Sequence, residues 1–496
     1  MPSFMGQLKS KMIQITRGGS GKDAFLSTIQ DDSFFSIDEK TLLDQLHNVF
    51  RPELDRLKAA PPSDTGSPTS RTLGLTDTGI DPSKEIFGKN YDEVNRTLVG
   101  VLALRWIWNN EYGHFVKGQP ADQKLKPESF QWLVEHFHQN LKTRDDLLAL
   151  IISMIINDVG KDPNLATDYF EKTGETLPDQ NHDSVLYEAA REGMVPCLEF
   201  LSEDQKKDLL LGLELGSELN AGQLAQAESV PISLEFLQQM KGREHAFEMK
   251  FMEQILDVAG ALGHKYPYGA KNLIQPVFEA FQTVHGVSIK IISGELSLRQ
   301  GYDEVLRKRG TLLETIGFRR LSVSNDEQRA LLRLLTMGRT VDRHQAELFQ
   351  KAFHSMDETN KENLVTGLNI DGNVNEKAVL PYYMPSVLSD VLETTKELSE
   401  DERIRALSSV LRYLARVLNS SSVSASSPRS SSLDCVPENV AVPGIVVEHN
   451  MLKAREVLGD PEFKTNPEKL DELDVPPPQQ LIRRRTSQST DSMQPR

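Results

Sequence analysis

The longest apolar run in the sequence, Leu147–Pro163 (LLALIISMIINDVGKDP), stops abruptly on Asn157-Asp158 and continues through Gly160 and Lys161. A run that apolar packs inside, so its polar end is delivered into or beside the interior. An ionised group there is costly unless it is paired or metal-bound, which marks Asp158 as a candidate functional residue. Asp257 repeats the pattern in FMEQILDVAGALGH, where it stands alone among Ile255, Leu256, Val258 and Ala259 ahead of His264. His136 and His138 precede the apolar run, and His182-Asp183 follow Asp158. Carboxylates and imidazoles that converge on a cavity suit a divalent metal, and a metal with open positions activates water.

Each of these residues also has a plainer role open to it. Asp257 can be hydrogen-bonded to His264 or an arginine in the core. His136 and His138 alternate sides of a helix, so at most one faces a cavity. Asp183 precedes Ser184-Val185-Leu186, a good helix start, and so reads equally as an N-cap. Trp106, Trp108 and Trp132 read as core contacts.

The segment IISMIINDVGKD resembles the signature helix of the HD-domain metal-dependent phosphohydrolases, an apolar run followed by His-Asp, Ile or Val, Gly and Lys. The resemblance implies an all-α fold holding one or two divalent metals through an early His, the His-Asp pair, in some members further histidines, and a late Asp. Position by position, Asp158 matches the Asp of the pair, Val159-Gly160-Lys161 match its tail, and Asp257 matches the late Asp. His182 stands where some members place an extra histidine. His136 is preferred for the early His, with His138 and His114 as rivals that spacing does not separate. The resemblance spans about residues 90–285 and makes Asp158 and Lys161 the expected catalytic residues.

The sequence departs from the family at Asn157, which stands where the family has the His of its pair. An amide oxygen is a weaker ligand than imidazole, so the site is reduced to one metal or emptied. Two expectations follow. One is a hydrolase of a phosphorylated small molecule or nucleotide, with His136, Asn157, Asp158, His182 and Asp257 around a divalent metal. The other is an inactive HD-like scaffold that binds a partner protein or nucleotide.

The elements that would position these groups are helical throughout. Apolar residues recur at helical intervals over Tyr91–Glu111, Pro127–Leu141, Phe247–Leu262 and Glu400–Leu418, and no alternating run is long enough to build a sheet. The expectation is an all-α chain with an N-terminal segment (1–57), a linker (58–89) and an HD-like helical domain (90–285). A second helical region (286–418) and a disordered Ser/Pro-rich tail (419–496) complete it. In the first segment a helix is expected over Ser36–Leu57, with Ser36 as N-cap and Glu39 three residues on. The tail holds a possible short helix over Glu448–Leu458. It ends in Arg483-Arg484-Arg485-Thr486-Ser487, where Thr486 and Ser487 match a basophilic kinase site.

Composition narrows the partners. The 496 residues carry a formal net charge of -16, a poor basis for neutralising the phosphates of nucleic acid. Cys197 and Cys435 are too few and too far apart for a disulfide framework or a cysteine-built zinc site. No apolar stretch reaches the roughly 20 residues that a membrane span needs. A cytoplasmic protein is expected; Lys9, Lys11, Arg17 and Lys22 give only a weak likeness to a mitochondrial transit peptide. Gly18-Gly19-Ser20-Gly21-Lys22 is no phosphate loop, because Thr16 and Asp23 occupy the positions that need Gly and Ser/Thr.

Overall fold

The computed structural model describes residues 21–62, 81–177, 181–373, 376–423, 439–446, 448–475 and 479–484. The fold is all-α, as the periodicity predicts. Its described residues form two units, one drawn from 1–221 and 239–285, the other from 222–238 and 286–496.

The first unit contains α1 (Glu39–Val49), α2 (Arg51–Leu57), α3 (Asp92–Trp108), α4 (Pro127–Asn140), α5 (Arg144–Ile156), α6 (His182–Arg191), α7 (Glu203–Glu218) and α8 (Glu244–Gly260). It also takes in α9 (Gln275–Ile292) as far as His285. Helix α5 carries the apolar run expected to pack inside, and every residue from Leu147 to Ile156 is buried. A capping box opens it, with Thr143 accepting from the N–H of Asp146 and Asp146 accepting from that of Thr143. Helix α3 is also enclosed, and like α5 it is apolar on all sides.

Glycines set how closely α3 and α8 approach. A Cβ on Gly260 would overlap the carbonyl oxygen of Arg96, and one on Gly100 would meet Leu256 O at 3.0 Å. This backbone-to-backbone contact holds Arg96 and Asp257, each about one turn from it, on facing elements. Gly160 has no room either, since a Cβ there would overlap the carbonyl oxygen of His182. The turn after Asp158 therefore lies directly against the start of α6.

The N-terminal helices are part of this unit and not a separate segment. Arg56 pairs with Asp162 at 2.8 Å and Asp168 at 2.7 Å, and Glu53 accepts from the N–H of Cys197. The single helix expected over Ser36–Leu57 is two helices that break at Phe50, with Pro52 in the first turn of the second. Asp38, not Ser36, caps the first, accepting from the N–H of Thr41.

The second unit contains α10 (Leu298–Thr315), α11 (Asp326–Met337), α12 (Arg343–His354), α13 (Glu358–Asn369), α14 (Met384–Thr394), α15 (Glu400–Val423) and α16 (Glu448–Gly459). Arg329 and Arg333, one turn apart on α11, are fully buried. Arg329 pairs with Asp303 at 2.6 Å, and Arg333 donates to the carbonyls of Ala227, Ser229 and Leu368. Residues 222–238 belong to this unit because their carbonyls are bound there, a long-range fact that no local pattern carries.

The tail expected to be disordered is partly built. Its predicted helix is α16, and Asn450 O accepts from the hydroxyl of Tyr413 on α15. Arg405 and Arg412 of α15 pair with Glu468 and Asp471, while Phe463 and Leu470 are buried. A three-stranded sheet is also present, contrary to expectation. In it β1 (Ala378–Leu380) lies parallel to β2 (Asn439–Val446), and β3 (Gln479–Arg484) lies antiparallel to β2. Lys9, Lys11, Arg17, Cys435, Thr486 and Ser487 lie outside the described residues. No helix among the described residues is long and apolar enough to cross a membrane.

Two outcomes test these readings. Gly260→Ala should lower stability by about 3 kcal/mol, because backbone atoms have no rotamer with which to yield. Gly113→Ala, where a Cβ meets nothing, should be neutral, and urea unfolding of both compares them. In the second unit, burial pushes the Glu228 carboxyl up to about 7, only partly offset by the N–H of Tyr383. A carboxyl raised in the folded state costs nothing while it is protonated in both states. It costs progressively more as pH climbs from the ordinary carboxylate range to about 7. Stability should therefore fall by about 3 kcal/mol over that window and level off above it. Glu228→Gln, which can still accept from Tyr383, should abolish that decline in urea midpoints taken across the window.

Candidate functional site

Asp158 lies in a chain of charged groups between α3, α6, α8 and the turn that follows α5. Helix α3 supplies Glu93 and Arg96, and the turn supplies Asn157, Asp158 and Lys161. The first turn of α6 supplies His182, and α8 supplies Lys250, Glu253 and Asp257. The Lys161 ammonium is 2.8 Å from Asp158 Oδ1 and 3.2 Å from Glu93 Oε2. Arg96 pairs with the other oxygen of Glu93 at 2.6 Å. His182 Nε2 stands further off, 3.9 Å from Asp158. Deeper in, Lys250 pairs with Glu253 at 2.7 Å, and Ser153 donates to the same carboxylate.

Four carboxyl groups (Glu93, Asp158, Glu253, Asp257) thus face three side-chain cations (Arg96, Lys161, Lys250). Burial pushes Asp158 up, but Lys161, Arg96 and a hydrogen bond from Glu93 more than offset this and hold it well below the usual range. Burial and the Asp158 charge push Glu93 up, and they push Asp257 up as well.

Of the residues expected at a metal, Asp158, Lys161, His182 and Asp257 share this group. Asn157 is buried beside it, but its side-chain oxygen has no hydrogen-bond partner. His136 belongs to a different group, with Glu248 and His285. Its rivals are exposed and stack on tryptophans, His138 on Trp108 at 4.1 Å and His114 on Trp106. His264 is not the partner of Asp257, whose charged neighbours are Asp158, Arg96, Lys161 and Lys250. Asn181, not Asp183, caps α6.

Sequence reasoning missed Glu93 and Arg96, although opposite charges three residues apart at the head of a largely apolar helix are a visible signal. It also missed the buried Lys250–Glu253 pair.

As placed, Asp158 faces the Lys161 ammonium at 2.8 Å and the His182 imidazole at 3.9 Å, and no three donors of His, Cys, Asp or Glu among the described residues converge around it. Among the described residues, three donors of His, Cys, Asp or Glu converge within 4.8 Å of one another only at His136, Glu248 and His285.

A family model for a family of unknown function, DUF6829, matches residues 43–470. The chain belongs to that family. Membership takes in both units and carries no assigned chemistry. No curated protein and no solved structure matches the chain. The likeness to HD-domain proteins therefore rests on the sequence match at Asn157–Lys161 alone.

The ion pairing itself is testable. Lys161→Met removes the cation nearest the buried Asp158 carboxylate and should cost about 3 kcal/mol. In the double-mutant cycle with Glu93→Gln, the two changes should couple by about 1 kcal/mol or more, because they draw on one hydrogen-bonded group. Additive losses in urea unfolding would show that Lys161 and Glu93 act independently.

Proposed function

We propose that the chain is a non-catalytic helical scaffold with an HD-like bundle in which side-chain cations take the place of the metal. The observation that supports this is the position of Lys161, whose ammonium stands between the carboxylates of Asp158 and Glu93. A dication at Asp158 would have to evict that ammonium and then repel it from a few ångströms away. Arg96 adds a second fixed positive charge on the same carboxylates. The ammonium of Lys161 and the guanidinium of Arg96 already occupy the carboxylate oxygens of Asp158 and Glu93 that a divalent ion would take.

The same pairing removes the chemistry a hydrolase would need. Asp158 is held ionised by Lys161 and is engaged by Glu93, so it is not free to take a proton from water. Lys161 stays charged because Asp158 and Glu93 outweigh the cost of its burial, so it is no base. On this reading the group fixes the packing of α3, α6 and α8, and the protein acts through surfaces presented to a partner.

The test is turnover of p-nitrophenyl phosphate and bis(p-nitrophenyl) phosphate with added manganese or zinc. Metal content by elemental mass spectrometry is measured alongside on the native chain, Asp158→Asn and Asp257→Asn. The expected result is no turnover above background, with metal content unchanged by either substitution. Hydrolysis or bound metal that disappears in both variants would overturn the proposal and restore the phosphohydrolase.

A further inference from the structure

His136 on α4, Glu248 on α8 and His285 on α9 bring three donor groups from three helices to one point. His285 Nε2 is 3.0 Å from both oxygens of Glu248, and His136 Nε2 is 3.2 Å from Oε2. Zinc bonds of about 2.0–2.1 Å in a tetrahedron set neighbouring ligands about 3.3 Å apart. The two separations to Glu248 are already close to that edge, and all three donors lie within 4.8 Å of one another.

The state of His136 points the same way. The residue is 6% exposed, and its Nε2 stands 3.2 Å from Glu248 Oε2 without completing a hydrogen bond. A buried imidazole nitrogen with no partner is costly unless something else binds its lone pair.

The surroundings fix the rings. Trp132 stacks on His136 at 4.6 Å with its plane 9° away, and it meets His285 edge-on. Phe251 lies 4.7 Å from His285. The side chains of Glu248 and His285 remain 14% and 16% exposed, so the group has an edge toward solvent.

We propose that His136, Glu248 and His285 form a binding site for a transition-metal dication, zinc by its ligand set. Two imidazoles and one carboxylate are borderline ligands that favour such ions over magnesium or calcium, which take mainly oxygen. Three protein ligands leave a fourth position for water. The bound ion ties α4, α8 and α9 together. The site is separate from the group around Asp158 and stands whether or not the scaffold reading does.

The test is metal stoichiometry of the full chain, followed by cobalt titration of the chelator-stripped protein. Visible absorption and tryptophan fluorescence are the readouts, and Trp132 is the expected reporter. One zinc per chain is expected, with cobalt giving visible ligand-field bands and quenching. Glu248→Gln and His285→Asn should each weaken binding by at least about tenfold while far-ultraviolet dichroism is unchanged. Asp158→Asn should bind as the native chain does. Absence of zinc and cobalt binding in the native chain would overturn the proposal and leave hydrogen-bonded histidines only. Binding that survives both ligand substitutions, or that is lost in Asp158→Asn alone, would also overturn it by placing the metal elsewhere.

Discussion

The ammonium of Lys161, set between Asp158 and Glu93, is the contact on which the interior of the first unit depends. Helix α5 is apolar along ten consecutive buried residues and must end somewhere inside the bundle, and it ends on a carboxylate. The short turn that follows folds Lys161 back, its N–H bonding the carbonyl of Asp158. Gly160 lets that turn lie against His182 with no side chain between them. A buried charge is thus answered three residues later in the same loop, and Glu93 and Arg96 complete the balance from α3.

The second unit meets a related demand with different chemistry. There the buried groups to be satisfied are mostly backbone carbonyls, and the residues that answer are arginines. Arg333 spreads its donors over three carbonyls from two separate segments, which a lysine, a compact charge on a flexible stem, does less well. Lysine suits the gap between two carboxylates; the guanidinium fork suits an array of carbonyls. The difference explains why residues 222–238 leave the first unit: their carbonyls are fixed by Arg333.

What was legible in the sequence was whatever local pattern determines. The buried course of α5, the helical class and the isolation of Asp158 and Asp257 all follow from apolar runs that have nowhere else to go. Glu93 and Arg96 were not legible as partners, because their register against Asp257 is set by the meeting of Gly100 and Gly260 between helices far apart in sequence. The strand Ala378–Leu380 is too short to show a period. The serine-rich stretch after Asn419 has the composition of a solvated chain, but Phe463 and Leu470 beyond it are buried. A few apolar anchors outweighed the average character of the tail.

The placing of His136 follows from helix geometry once Glu248 and Asp257 are seen to share α8. Nine residues along a helix amount to about two and a half turns, so the two carboxylates project from opposite sides, roughly 13 Å apart along the axis. Lys250 and Glu253 fall on the side of Asp257, whereas Phe251 falls nearer Glu248 and packs on the imidazoles of both His136 and His285. A histidine bound to Glu248 therefore cannot also complete a site at Asp257. His136 and Asp257, matched to the early His and the late Asp, are therefore kept apart, since His136 reaches from α4 to the face of α8 opposite Asp257. The balanced group and the convergent donor set are consequently separate pieces of chemistry, and evidence of metal at one says nothing for hydrolysis at the other.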